Sequence, residues 1–147
     1  LPSVAPVESP GSGTMDLVEV PSLRILVVDD DSALRQTLAY VLALRRHDVK
    51  SAASRTRALE MLEANEFDVL VTDVLLTDGD GAQLVEAARE AKPELKVVFM
   101  SGFAGDAHDR LNLDAPHTAF LQKPFHPNRL AEVLLDVILE RENGKIA

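Results

Sequence analysis

Cysteine is absent from the 147 residues, so there is no disulfide framework and no thiolate metal site, and any bound metal must be held by oxygen or imidazole. The same absence leans toward a cytoplasmic setting. Basic residues are scarce and scattered. Fifteen Lys and Arg stand against 24 Asp and Glu, the formal charge is −9, and no basic run exceeds Arg45-Arg46. This excludes a nucleic-acid footprint, which needs clustered cations, and disfavours contact with anionic membranes. No apolar stretch approaches the ~20 residues that span a bilayer. The opening LPSVAPVESP has neither the basic nor the apolar region of a signal peptide.

What is present supports one packed domain: 46% of residues are hydrophobic and 27% charged, too apolar for wholesale disorder. Residues 1–21 stand apart, holding four of the eight prolines together with Gly11 and Gly13, and read as a linker. The domain is expected over 22–143, with a short tail at 144–147. Leu1 in place of methionine suggests a piece of something larger; Met15 is the rival start. After Pro21, short β-rich apolar runs appear at Leu23 to Val28, Val49 to Ala52, Phe67 to Val71, Val97 to Met100 and Ala119 to Leu121. Helix-period stripes lie between them: Leu34, Leu38, Val41 and Leu42; Ala58, Leu59 and Leu62; Leu84, Val85 and Ala88; and Leu130, Val133, Leu134, Val137 and Ile138. Asp31 or Ser32 can cap the first helix. A short helix is expected between Gly102 and Pro116. Five strand–helix alternations with crossovers too long for hairpins predict a parallel sheet covered on both faces.

In such a sheet the site lies at the carboxyl ends of the strands. There the sequence puts Asp29-Asp30-Asp31, Asp73, Ser101 and Lys123, one group after each of four apolar runs. Each alone has an ordinary explanation as a cap, a turn or a surface charge; the coincidence of all four is what carries weight. Clustered carboxylates repel and raise one another's pKa values unless a cation sits among them. Oxygen ligands in an open site suit Mg2+, which keeps waters and accepts phosphate oxygens. The guest predicted is a phosphoryl group, with the Ser101 hydroxyl donating to one oxygen and Lys123 pairing with another. Without phosphate, Lys123 is expected to lie in the carboxylate field, chiefly that of Asp73.

ILVVDDD at 25–31, LVTDVLLTDGDG at 70–81, VVFMSGF at 97–103 and FLQKPF at 120–125, in this order and at these separations, resemble the receiver domain of two-component response regulators. The resemblance covers about residues 23–141. It implies a flavodoxin-like, doubly wound (βα)5 fold with sheet order 2-1-3-4-5. It implies Asp73 as phosphoacceptor from a phosphohistidine on a histidine kinase or histidine phosphotransfer protein, and Mg2+ held by Asp29, Asp30, Asp73 and the backbone carbonyl of Leu75. Ser101 and Lys123 would bind phosphoryl oxygens, Phe120 would be the switch aromatic, and the Lys123–Pro124 bond would be cis. Linker first and receiver last, with no effector segment after Glu142, suggest the carboxyl-terminal receiver of a hybrid sensor kinase; a stand-alone single-domain regulator is the alternative.

The sequence also departs from the family. Leu76-Thr77 stands where Met-Pro is usual, so a more mobile loop is expected after Asp73. The resemblance implies that the positions two past the phosphoacceptor and two past the hydroxyl residue, here Leu75 and Phe103, flank the approach of the hydrolytic water; neither can orient water and both can exclude it, which predicts slow self-dephosphorylation. A competing enzymatic reading takes Asp29-Asp30-Asp31 as the Asp-x-Asp of a haloacid-dehalogenase-like Mg-dependent phosphatase, with Asp29 as nucleophile and Asp31 as general acid. It leaves Asp73 without a role. A phosphorylation-dead docking module is disfavoured because every site position is filled. Asp78-Gly79-Asp80-Gly81 lacks the spacing of a calcium loop and reads as a turn. His47, His108, His117 and His126 share no metal spacing. Leu135 and Leu139 either complete the core or widen a face for a weak homodimer.

Overall fold

Ile25, Leu26, Val27 and Val28 are all fully buried, a run without alternation that only a strand covered on both faces can accommodate. They belong to β1 (Arg24–Val28) of a computed structural model that describes residues 22–102 and 115–139. The order continues α1 (Ser32–Leu44), β2 (Asp48–Ala52), α2 (Arg55–Ala64), β3 (Val69–Asp73), α3 (Gly81–Ala91), β4 (Lys96–Ser101), β5 (Thr118–Gln122) and α4 (Pro127–Ile138). A two-residue antiparallel ladder, Leu75–Leu76 with Gly79–Asp80, bridges β3 and α3. The five strands form one parallel sheet in the order β2-β1-β3-β4-β5, the expected flavodoxin-like arrangement.

Alternate residues of the central strands feed two separate cores. Ile25, Val27, Val69, Val71, Val98 and Met100 pack with Leu38 and Leu42 of α1 and Leu130, Val133 and Leu134 of α4. Leu26, Val28, Leu70, Val97 and Phe99 pack on the other face with Ala58 and Met61 of α2 and Leu84 and Val85 of α3. Burying a leucine or valine side chain contributes about 1.5–3 kcal/mol, so these stripes hold the four helices of the described residues against the sheet. Asp31 is the N-cap of α1, accepting from the Ala33 and Leu34 amides.

Several boundaries differ from the sequence reading. Phe67 is buried but precedes β3, and the next residue, Asp68, turns its carboxylate to the Arg24 amide and guanidinium at 2.8–3.1 Å. At their other ends β3 and β4 run on to include Asp73 and Ser101, so both site residues belong to the sheet and not to loops. Leu139 is exposed and Leu135 only half-buried, so neither completes the core. The expected linker, the short helix between Gly102 and Pro116 and the tail fall on residues 1–21, 103–114 and 140–147, outside the described residues.

Candidate active site

Parallel pairing brings the carboxyl ends of β1, β3, β4 and β5 to one edge. Asp73 lies in register with Met100 of β4, and Ser101, the next residue, lies in register with Gln122 of β5, just before Lys123. The Lys123 amide donates to the Ser101 carbonyl at 2.8 Å, fixing where the lysine leaves the sheet. The Lys123–Pro124 peptide bond is cis. From there the ammonium donates to Asp73 Oδ2 at 2.7 Å and to Asp29 Oδ2 at 2.8 Å. The partnership with Asp73 is as expected; the equal one with Asp29, 94 residues away, was not foreseen.

Asp29 is fully buried. Its Oδ1 accepts from the Asp31 amide at 2.9 Å, and its carbonyl accepts from the Arg35 guanidinium at 2.7 Å. Burial pushes the Asp29 carboxyl above its usual range, and the bonds from Lys123 and the Asp31 amide offset this only in part. Burial also draws the Lys123 ammonium down, but its bonds to Asp29 and Asp73 outweigh this and leave it raised. The lysine is therefore firmly charged, while Asp29 remains a carboxylate short of counter-charge.

Asp29, Asp30 and Asp73 each offer an oxygen, and the three lie within 4.8 Å of one another. An all-oxygen, partly open set with a desolvated member fits a hard divalent cation such as Mg2+ better than a softer metal. Asp73 is 14% exposed and its Oδ1 accepts from the Leu75 amide at 3.2 Å; Leu75 itself is 45% exposed beside it. Ser101 is buried at the same edge. Phe120 is half-buried against the α2–α3 core. Phe103 lies outside the described residues, as does His108. Among the other histidines, His47 Nδ1 accepts from the Leu23 amide, His117 meets Lys96 and His126 caps α4; none joins the carboxylates.

Two features of the site escaped the sequence reading. Gly81, at the start of α3, sits so close to the Asp73 backbone that a Cβ there would overlap the Asp73 carbonyl oxygen. The loop after Asp73, expected to be freer for want of a proline, instead carries ties: the Thr77 hydroxyl donates to Asp30 Oδ2 at 2.7 Å, and Asp78 accepts from the Arg55 and Thr56 amides of α2 at 2.7 and 3.0 Å. Those amide bonds hold the Asp78 carboxyl at about 2. A threonine in place of proline was the available signal, read as a loss and not as a gained hydroxyl.

The phosphatase reading does not survive this geometry. Asp31 is turned away to cap α1, and Asp29 is fully buried, whereas Asp73 is 14% exposed. Comparison with known proteins agrees. Residues 25–144 match the family model described as the response regulator receiver domain. The sensor kinase CckA of Brucella abortus is 36% identical over 124 residues, spanning 82% of this chain and 13% of that protein. The receiver protein CpdR of the same organism is 35% identical over 125 residues, spanning 84% of this chain and 98% of that one. A crystal structure of a response regulator receiver protein from Sinorhizobium medicae superposes with a TM-score of 0.72 at 27% identity, over 80% of this chain and 95% of the other. Fold, edge geometry and relatives converge: the chain belongs to the response regulator receiver domain family, the phosphoacceptor modules of two-component signalling.

Proposed function

We propose that Asp73 accepts the phosphoryl group. The observation that carries this is the convergence of Lys123 on Asp73 and Asp29 within a three-carboxylate cluster in which Asp73, unlike the fully buried Asp29, is partly exposed. An Asp73 carboxylate oxygen bonds to phosphorus as the phosphorus–nitrogen bond of a phosphohistidine breaks; the departing imidazole nitrogen keeps the electron pair and takes a proton. Lys123 turns from Asp73 Oδ2 to a phosphoryl oxygen, and the Ser101 hydroxyl donates to another. Asp29, Asp30, Asp73 and the Leu75 carbonyl would hold Mg2+, which would neutralise charge that gathers on the phosphoryl oxygens. Withdrawal of Ser101 and Lys123 toward the phosphate changes the packing next to Phe120, which serves as the switch aromatic.

The phosphoryl donor is a histidine kinase or a histidine phosphotransfer protein, and the domain works in the cytoplasm. Its similarity to a sensor kinase supports a receiver fused to a kinase; the near-complete match to a receiver protein of the CpdR kind supports a free-standing one, and the reading frame upstream of the gene separates them. The chemical test uses acetyl phosphate with magnesium. One acid-stable, base-labile phosphoryl group is expected, abolished by Asp73→Asn. Labelling that persists in Asp73→Asn but is lost in Asp29→Asn would overturn the assignment.

A further inference from the structure

The hydroxyl that replaces the usual proline has a specific destination. Thr77 Oγ1 donates to Asp30 Oδ2 at 2.7 Å, joining residues 47 positions apart. The other two carboxylates of the cluster are already braced. Asp29 is buried between Lys123 and the Asp31 amide, and Asp73 is held by Lys123 and the Leu75 amide. Asp30 is the exposed member of the three. Standing beside two like charges, an exposed carboxylate is pushed toward solvent. The Thr77 hydroxyl supplies the opposing hold.

Thr77 is itself fixed in place. It comes directly after the Leu75–Leu76 arm of the two-residue ladder, and its neighbour Asp78 is anchored by the Arg55 amide at 2.7 Å, the Thr56 amide at 3.0 Å and the Thr56 hydroxyl at 2.8 Å. The hydroxyl thus hangs from the amino terminus of α2 through a single residue, and not from a free loop.

The geometry points to Thr77 as a positioning residue for magnesium, holding one oxygen of Asp30 so that the carboxylate stays within ligand distance of Asp29 and Asp73. This rests on the reading of those three residues as the magnesium site. A carboxylate has two oxygens and about four lone-pair sites, so the bond from Thr77 leaves room for a cation. Outer partners of this kind orient the groups that touch the metal, and losing one typically weakens metal binding about 10- to 100-fold. Because Thr77 is exposed, the lower end applies. Magnesium demands near-octahedral geometry, whereas calcium accepts irregular sets. Loosening Asp30 therefore penalises magnesium more than calcium, a signature that general destabilisation does not produce.

Isothermal titration of the metal-free protein with magnesium and with calcium tests the assignment in the wild type, Thr77→Val, Thr77→Ser and Asp30→Ala. Thr77→Val is expected to bind magnesium about tenfold more weakly and calcium with a smaller loss, with an unchanged far-ultraviolet circular dichroism spectrum. Thr77→Ser, which keeps the hydroxyl, restores magnesium affinity. Wild-type affinity in Thr77→Val, or equal weakening of both ions, overturns the role of Thr77 while Asp30→Ala still reports on the site. Undiminished magnesium binding by Asp30→Ala, or none by the wild type, overturns the site reading and the role of Thr77 with it.

Discussion

Replacing Lys123 by methionine keeps most of the side-chain volume and removes the charge that faces both Asp29 and Asp73. Breaking a buried ion pair by removing one partner costs about 3–5 kcal/mol, because the other charge is left uncompensated. Lys123 is 23% exposed and Asp73 14%, so water softens that side; Asp29 is fully buried and cannot be relieved in this way. The low end, about 3 kcal/mol at pH 7.5, is the expected loss, roughly 10 °C in melting temperature for a domain of this size. The loss should depend on pH in a definite direction. Burial raises Asp29 above its unfolded value, so the folded state binds the extra proton, and stability falls as pH rises from the unfolded toward the folded pKa. Without Lys123 the folded pKa climbs further. The deficit of the variant should therefore shrink as pH falls below 7.5 and Asp29 takes up a proton. Millimolar magnesium should shrink it too, by placing a cation among the same carboxylates. Urea unfolding across a pH series downward from 7.5, with and without magnesium, measures all of this. A variant as stable as the wild type at pH 7.5, or a deficit indifferent to both acid and magnesium, would refute the argument that Lys123 compensates a buried charge.

Gly81→Ala places a methyl group on the Asp73 carbonyl and should destabilise the fold by about 1–3 kcal/mol, while slowing labelling by acetyl phosphate; a normal labelling rate would show that the Asp73 backbone yields without consequence. Asp78→Ala removes the acceptor of two α2 amides and should lower the melting temperature at pH 7. The Asp78 contribution is complete above the unfolded pKa and is lost as pH falls through about 2, so wild type and variant should converge in acid melts. Leu75→Asn puts a side chain able to orient water beside Asp73 and should shorten the lifetime of the phosphorylated protein. Decay of the labelled band measures it, and an unchanged lifetime would remove Leu75 from the control of hydrolysis.

The sheet and its working edge were legible because one physical rule links them: an apolar run marks a doubly covered strand, and the residues just past the run land at the carboxyl edge. Asp29, Asp73, Ser101 and Lys123 are all placed by that rule, and so is the pairing of Lys123 with Asp73. Thr77 and Asp78 were not legible. Their partners, Asp30 and the α2 amides, lie 22 to 47 residues away, and no periodicity ties a single loop hydroxyl to a distant carboxylate. The brace between Arg24 and Asp68, 44 residues apart, was hidden for the same reason. Gly81 stands within one of the motifs, but its need to be glycine comes from a backbone approach that only coordinates reveal.

The two bonds of Lys123 also bear on how the chain folds. They join residues 94 and 50 positions apart and form across strands β1, β3 and β5, so the ammonium gains its partners only when both halves of the sheet are assembled. Contacts between residues far apart in sequence require loop closure before they return any stabilisation. Contacts made after the transition state act on unfolding and not on folding. Lys123→Met is expected to unfold faster than the wild type while refolding at the same rate, and a slowed refolding limb in stopped-flow kinetics would place the contact in the folding nucleus.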